Sequence, residues 1–471
     1  MSALSLLLPS TSNVFGSARF LGGYERLRLL SRFHDGLVID GRRRISEKRS
    51  FNHLAIVAPS GGGKTTVFTI PNVLALNGSA VITDPSGEIY AHTAGHLQAK
   101  GFKIKVIDLG DPARSLTFNP LHRANEHDEI ANVADVLIRS AFPGSNANDQ
   151  FWNSGARSIL NILIRALKTQ PEELQTLHNV RHLLNSFGKD GKGIGGFIFK
   201  SLAGDAATLS EFKGFVENEP KVVLNFVATA KNALEAFANP KICALTATET
   251  LHFESLRDEK TAIFIHVPEH QIHHYSFFLN LLYTQIFAFC MRMPGPKEES
   301  IFFLLDEFGN MGRFPDFSQL MTTLRKRRCS VSVVLQDVSQ LVKVYGHDDA
   351  NTILDGACAS RIFLPGLSHR TCRELEDILG KMTVRHTEEA SHPLDTDPTK
   401  FREREVGRSL LTADEIRTMK DHQAIYLYRN KRPARLHLKP FHRNWRLRRQ
   451  AGIPAPNLAT RDIRPTEYIK L

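Results

Sequence analysis

The chain has 471 residues, too long for one ordinary core, which predicts two or three domains. Apolar content of 42% with 23% charged residues excludes a disordered or fibrous chain, and a formal charge of +11 favours polyanionic partners. Cys243, Cys290, Cys329, Cys358 and Cys372 include no C-x-x-C pair, which argues against a zinc knuckle or a disulfide framework and for reduced thiols.

Residues 1–50 are mixed in character. Leu4–Leu8 is too short for a signal sequence and no basic stretch precedes it. The apolar run His53–Val57 reads as a strand. Ala58-Pro-Ser-Gly-Gly-Gly-Lys64-Thr65-Thr66 follows it, and helical spacing runs over Lys64–Leu76. A strand, a Gly-rich turn and a helix in that order make a phosphate cradle. Backbone N–H groups at Gly61, Gly62 and Gly63 can converge on phosphate oxygens, because no Cβ blocks the approach. Ala58, Pro59 and Ser60 form the rest of the loop. Lys64 is placed to reach the β- and γ-phosphates of ATP, and the Thr65 hydroxyl to bind Mg²⁺. Ala58 stands where the pattern asks for its first glycine.

Strand Ala80–Thr83, the turn Asp84-Pro-Ser-Gly87, helix Glu88–Lys100 and strand Lys103–Leu109 come next. This alternation predicts a parallel sheet. From about Arg123 to Thr248 the strand signal disappears. Ile130–Phe142, Phe151–Leu167, Gln175–Phe187, Gly195–Leu202 and Val222–Phe237 carry helical spacing, with loops expected at Asn146–Asp149 and Lys189–Gly193. Phe151 and Trp152 open one helix, where core packing is the first expectation.

Alternation resumes with strand Thr261–Val267 and helix Ile272–Met291. Its most apolar part, Phe277–Met291, is short of the roughly 20 residues a membrane span needs and contains Asn280 and Gln285, so it predicts a buried helix. His266, His270, His273 and His274 cross a Pro268 turn without metal-site spacing. Ile301–Leu305 reads as a buried parallel strand with Asp306 and Glu307 at its C-terminal end, where open α/β sheets place ligands. Asp306 is placed to hold Mg²⁺ through water, and Glu307 to polarise the attacking water. Helix Asp316–Lys326, strand Ser330–Leu335 ending at Gln336, helices Val338–Tyr345 and Asp349–Cys358, strand Ser360–Leu364 and helix Arg370–Leu379 follow. Pro393–Arg402 reads as a polar loop, and helix Thr412–Met419 and strand Ala424–Tyr428 close the fold. Ser60 and Ser86 lie in no nucleophile elbow. Basic residues cluster at Arg42–Arg44, at Arg325–Arg328 and along Arg429–Arg449, a stretch without Asp or Glu.

Several phrases taken together resemble the type IV secretion coupling proteins, the TraG- and TraD-like ATPases of conjugative DNA transfer. They are Gly16-Ser-Ala-Arg-Phe20, the phosphate loop through Ile70-Pro-Asn72, Gly78–Glu88, Phe118-Asn-Pro-Leu121, Phe151-Trp152, Asp306-Glu-Phe-Gly-Asn310, Arg325, Gln336, Gln340-Leu341, Tyr345-Gly346 and Arg408–Ile416. The resemblance covers about residues 15–445. The chain departs from the pattern at Ala58 and at Ser86, where the family usually has Lys. It also begins too late to contain the family's usual N-terminal membrane helices.

The resemblance implies a RecA-like P-loop NTPase with a parallel sheet and an inserted all-α domain. The expected division is an N-terminal segment 1–50, a discontinuous motor domain 51–122 and 251–445, an inserted domain 123–250 and a basic tail 446–471. It implies an arginine, Arg325, that reaches the ATP of a neighbouring subunit, with Arg327 and Arg328 as alternatives, and Gln336 as a γ-phosphate sensor. It further implies ATP and Mg²⁺ as cofactors and a homohexameric ring. Single-stranded DNA, relaxase or relaxosome proteins and type IV secretion channel components are the implied partners. The implied location is the cytoplasmic face of the bacterial inner membrane, for a member that is naturally anchorless, shortened, or anchored by a separate protein. A septal-type double-stranded DNA translocase and a substrate receptor that binds ATP without hydrolysing it are the alternative readings.

Overall fold

The computed structural model describes residues 7–9, 12–144, 147–188, 190–389, 401–463 and 466–471. Its strands, in chain order, are β1 (Leu7–Pro9), β2 (Leu54–Val57), β3 (Ser79–Asp84), β4 (Lys103–Asp108), β5 (Thr261–His266), β6 (Ile301–Leu305), β7 (Cys329–Leu335), β8 (Ser360–Phe363), β9 (Lys381–Glu389), β10 (Phe401–Ser409), β11 (Gln423–Tyr428) and β12 (Ala434–His437). Nine of them form one sheet in the order β12-β11-β8-β2-β7-β6-β3-β5-β4. From β8 to β4 every pairing is parallel, while β11 and β12 add an antiparallel edge.

The central strands are buried along their whole length and are apolar except at Ser79, Thr83, Asp84, Ser330 and Ser332, as expected for a sheet covered on both faces. Ala55 and Val81 belong to the core on one side, while Leu54, Ile56, Ala80 and Ile82 belong to the core on the other. The first core continues through helix Ser276–Cys290 into the helical stretch between β4 and β5. That stretch holds helices His127–Ala141, Ala147–Lys168, Leu177–Asn185, Lys192–Ser201, Ala206–Val216, Pro220–Ala233 and Pro240–Thr246.

Several expectations need correction. The expected loop Asn146–Asp149 is helical from Ala147, and the loop ending at Gly193 gives way to helix at Lys192. Asp205 caps helix Ala206–Val216 by accepting from the Thr208 N–H at 3.0 Å, and Asn239 caps Pro240–Thr246. Neither helix was expected. Most of the expected loop Pro393–Arg402 lies outside the described residues, but Phe401 and Arg402 belong to β10, which pairs with β9. The fold does not close at Tyr428, because β12 adds an outer strand. Beyond it, Trp445–Ala451 is a helix and the chain then lies along the molecule. Tyr90 donates its hydroxyl to the Pro456 carbonyl at 2.6 Å, and Ile469 N–H donates to Asn179 Oδ1 at 3.1 Å. Among the described residues no helix is long and apolar enough to cross a membrane.

Candidate functional site

Parallel register places the ends of five strands at one edge of the sheet. Val57 pairs with Leu335, Val333 with Leu305, Leu305 with Thr83, and Asp84 with His266. The residues that follow these strands therefore meet there: Ala58, Gln336, Asp306 and Glu307. Ala58 N–H extends the ladder by donating to the Leu335 carbonyl at 3.0 Å. The chain then turns through Pro59–Gly63, with Gly61 and Gly63 in the left-handed region at φ 75° and 81°. An added Cβ at Gly62 would lie 2.9 Å from the Pro59 carbonyl oxygen and 3.3 Å from the Ala58 methyl. The loop thus accommodates Ala58, but only because Gly62 has no side chain. Gly62 N–H donates to Pro59 O at 3.0 Å, so it is turned into the loop. Of the three glycine N–H groups expected to face phosphate, this one does not.

The helix after the loop begins at Lys64, as expected. Thr65–Thr69 is wound as π-helix before Ile70–Leu74 continues as α-helix. Lys64 is buried and donates its Nζ to the Ala58 carbonyl at 3.1 Å, 3.3 Å from Glu307 Oε1. In the chain alone it is held by Glu307. Glu307 sits at φ 53°, a strained conformation for a residue with a Cβ. Its Oε2 accepts from Gln336 Nε2 at 2.7 Å and from Asn310 Nδ2 at 3.3 Å. Gln336 N–H in turn donates to Gln340 Oε1 at 3.2 Å.

Thr65 Oγ1 donates to Asp306 Oδ2 at 3.4 Å, and Glu307 N–H to Asp306 Oδ1 at 3.1 Å. Burial pushes the Asp306 carboxyl up to about 7, with the Glu307 charge and then Asp84 adding to the rise. A buried carboxylate beside a hydroxyl and two further carboxylates is a hard-oxygen setting short of positive charge, and it fits a Mg²⁺ ion. Asp84 itself accepts from the Ile89 and Tyr90 N–H groups at 3.3 and 2.7 Å, and burial raises its carboxyl.

Sequence reasoning missed Asn310 as the second amide on Glu307 and Asp84 as a third charge at the site. Both lie in the quoted phrases, but only the fold gives them a neighbour. Among the described residues the four histidines do not gather with one another or with Cys, Asp or Glu into a group of three or more that could hold a metal ion. His266 Nδ1 lies 3.0 Å from Asp108 Oδ1.

Arg325 is not at this edge. It precedes β7, whereas Gln336 follows it, and seven strand residues span about 20 Å. Arg325 lines a cleft with Asn52, Tyr428 and Arg429 at the opposite edge. The alternatives are engaged with their own chain. Arg328 donates to Ser300 Oγ at 3.2 Å, and Arg327 donates to the Met293 sulfur. The Arg325 side chain makes no hydrogen bond or ion pair among the described residues.

The phosphate loop, the carboxylates two strands away and the amide on the strand between define a P-loop protein of RecA-like fold. Residues 29–456 match the model of the type IV secretory system conjugative DNA transfer family, and the chain belongs to that family. It is 22% identical over 421 residues to VirD4 of Rhizobium radiobacter, covering 86% of this chain and 60% of that protein. It is 24% identical over 310 residues to the conjugal transfer protein TraG of Agrobacterium fabrum, covering 64% and 46%. The chain therefore spans less than two thirds of the curated relatives it matches. Among solved structures, the bacterial conjugative coupling protein TrwB lacking its N-terminal segment superposes with a TM-score of 0.70 at 17% identity, over 93% of this chain and 95% of that one. TrwB in complex with ADP and Mg²⁺ superposes with a TM-score of 0.67 at 16% identity, over 93% and 96%. At this identity the likeness shows the fold.

Proposed function

We propose that the chain hydrolyses ATP and uses the energy to drive DNA, with an attached relaxase or another protein substrate, into a type IV secretion channel. The observation that carries this reading is the cluster of Lys64, Glu307 and Gln336 beside Thr65 and Asp306. The loop Ala58–Thr66 holds the phosphates, and Lys64 exchanges Glu307 for them when nucleotide enters. Thr65 and Asp306 hold Mg²⁺, which neutralises phosphate charge. Glu307, released by Lys64 and oriented by Gln336 and Asn310, accepts a proton from the attacking water. Gln336 bridges Glu307 and the γ-phosphate position and so reports on occupancy.

Arg325 acts on the nucleotide of a neighbouring copy in a homohexameric ring. Its distance from its own Lys64 and its side chain's lack of a partner among the described residues support that role. Residues 123–250 form an inserted domain that selects cargo, between the motor parts 51–122 and 251–445. The motor works at the cytoplasmic face of the inner membrane. Family membership and the TrwB fold support the conjugative setting, and the TrwB complex with ADP and Mg²⁺ supports the cofactors.

ATP hydrolysis measured with and without single-stranded DNA tests the reading. Hydrolysis that DNA stimulates and that Lys64→Ala abolishes, together with nucleotide binding, is the expected result. A Lys64→Ala variant with parental turnover would sink it.

A further inference from the structure

Away from the nucleotide site, one surface gathers Arg44, Lys100 and Arg446 with a single carboxylate, Asp35, in the lining of its clefts. Two adjoining clefts of 430 and 410 Å³ share Arg44, Leu74, Ala75, Arg446 and Gln450 in their lining. Arg44 is half-buried and donates through Nη1 to the Ala75 carbonyl at 3.5 Å. Lys100, on the wall of the first cleft, donates to the Leu76 carbonyl at 2.7 Å. Both acceptors are neutral, so these side chains are oriented while their charge remains available. Burial lowers the Arg44 guanidinium from its ordinary range, repulsion from Arg446 adds to this, and the Asp35 charge opposes it without reversing it.

The two nearby acids, Asp35 and Asp40, each accept backbone N–H groups. Asp35 accepts from the Glu47 N–H at 2.8 Å. Asp40 accepts from the Arg42 and Arg43 N–H groups at 3.0 and 2.7 Å and lies 3.8 Å from the Arg43 guanidinium. Among the described residues neither acid makes an ion pair with Arg44, Lys100 or Arg446. Each cleft has one large exposed aromatic in its lining: Phe33, 97% exposed, on the first and Trp445, 76% exposed, on the second.

Adjoining cationic clefts that each carry an exposed aromatic ring have the chemistry of a single-strand nucleic-acid site. Phosphates are neutralised in the clefts, and unpaired bases stack on the rings whatever their sequence. We infer that this groove binds a short run of single-stranded DNA, with phosphates against Arg44 and Arg446 and bases stacked on Trp445 and Phe33. A duplex offers no free base faces along its length. A bilayer surface is met by cations that reach outward on extended stems, whereas Arg44 is sunk in a cleft and tied to the main chain. The inference rests on the reading that the chain handles DNA and commits that reading to one surface.

Trp152 and Trp445 are the two tryptophans of the chain, and Trp152 packs against Phe226 in the helical stretch. The full chain carrying Trp152→Phe therefore reports on Trp445 alone. Labelled oligo(dT) is titrated while its anisotropy and the Trp445 emission are followed together. Quenching that tracks the anisotropy is expected. Trp445→Ala should weaken binding about 5- to 100-fold, and Trp445→Phe should retain most of the affinity. Arg446→Gln should weaken binding and reduce the log–log salt slope by about 0.7, the value for one single-strand phosphate.

Hydrolysis without DNA should be unchanged in these variants. A parent that binds oligo(dT) in this way yet hydrolyses no ATP would end the ATPase reading and leave the groove standing. Binding without a Trp445 response, affinity indifferent to both substitutions, or no binding of oligo(dT) by the parent overturns the inference. So does loss of flotation with phosphatidylserine vesicles while oligo(dT) affinity is kept, which would make the surface a lipid contact.

Discussion

Replacing Glu307 with glutamine perturbs the site at its most constrained residue. In the nucleotide-free chain Lys64 Nζ lies 3.3 Å from Glu307 Oε1, with side-chain exposures of 7% and 16%. Removing one partner of a buried ion pair typically costs about 3–5 kcal/mol, because the other charge is left uncompensated. Two contacts reduce that cost here. Lys64 keeps the Ala58 carbonyl at 3.1 Å, and the new amide still offers an oxygen to Gln336. A loss of about 2 kcal/mol in folding stability is the expected order. The Lys64 charge, no longer engaged, meets phosphate at fuller strength, so nucleotide affinity should rise on the order of tenfold, or about 1.4 kcal/mol. Turnover should fall by roughly 10²–10⁴, the usual contribution of a positioned base. Thermal unfolding with and without MgADP reads the first two effects, and phosphate release reads the third. The variant should melt lower alone and gain more from nucleotide than the parent. Turnover within tenfold of the parent would remove Glu307 from the chemistry. An unchanged nucleotide-induced shift would refute the argument from the ion pair.

Arg325→Ala should lower hydrolysis about 10³-fold or more while leaving nucleotide binding intact. Mixing it with Lys64→Ala subunits should restore part of the rate; a mixture no more active than its components would count against action in trans. The Asp108–His266 pair predicts a pH window. Burial alone would raise the Asp108 carboxyl, but the hydrogen bond and charge of His266 outweigh it and the net shift is down, while Asp108 raises His266. The pair therefore stabilises between about pH 4 and 6.5, and this is lost above the window as His266 deprotonates and below it as Asp108 protonates. With His266 partly exposed, Asp108→Asn should cost about 1 kcal/mol or less at pH 5.5 and nearly nothing at pH 8.5; equal loss in urea unfolding at both values would dismiss the pair. Gly95→Ala places a Cβ 2.1 Å from the Pro454 carbonyl oxygen, and this backbone contact has to open. A loss of about 1–3 kcal/mol is expected, with new proteolysis near residue 454; parental stability and cleavage would show that the segment is not held there.

The parts of this molecule that were legible in sequence are those whose signal is local. Leu54–Val57 and Ile301–Leu305 are unbroken apolar runs and Cys329–Leu335 is interrupted only by Ser330 and Ser332, and such runs form central parallel strands. The parts that were not legible carry a weaker or contrary pattern. β9 and β10 are rich in Arg, Glu and Thr and pair chiefly with each other, so little alternation marks them. β12 does alternate, with Ala434 and Leu436 buried and Arg435 and His437 exposed, but it spans four residues inside a stretch that reads as basic surface. Within the site, residue types and their order were readable, because a lysine after glycines and a carboxylate after an apolar strand mark themselves. Contacts were not. Nothing local tells Lys64 that Glu307 will hold it, or Glu307 that Asn310 will join Gln336 on its carboxylate. The place of Arg325 followed from direction alone, since a residue before β7 and one after it must lie at opposite edges of the sheet.

That opposition extends to charge. The edge bearing the phosphate loop gathers Asp84, Asp306 and Glu307 around one lysine, and this lysine is engaged by Glu307. The other edge has a cleft of 720 Å³ lined by Arg28, Lys48, Arg49, Arg325, Lys326 and Arg429, with no carboxylate in its lining. Where these side chains are held, the partners are neutral: Arg49 donates to the carbonyls of Arg28 and Leu29, and Arg429 donates to Asn52 Oδ1 at 2.7 Å. One chain cannot bring its two edges together across its own sheet. A second copy can, if its arginine edge meets the nucleotide edge of the first. Such a contact joins two different surfaces, and repeated by rotation it closes into a ring. A triphosphate between the edges would meet Lys64 and Mg²⁺ on one side and Arg325 on the other, so assembly and hydrolysis would become one event. The mixing experiment with Arg325→Ala and Lys64→Ala subunits reads that coupling directly, because each variant spoils one edge and leaves the other whole.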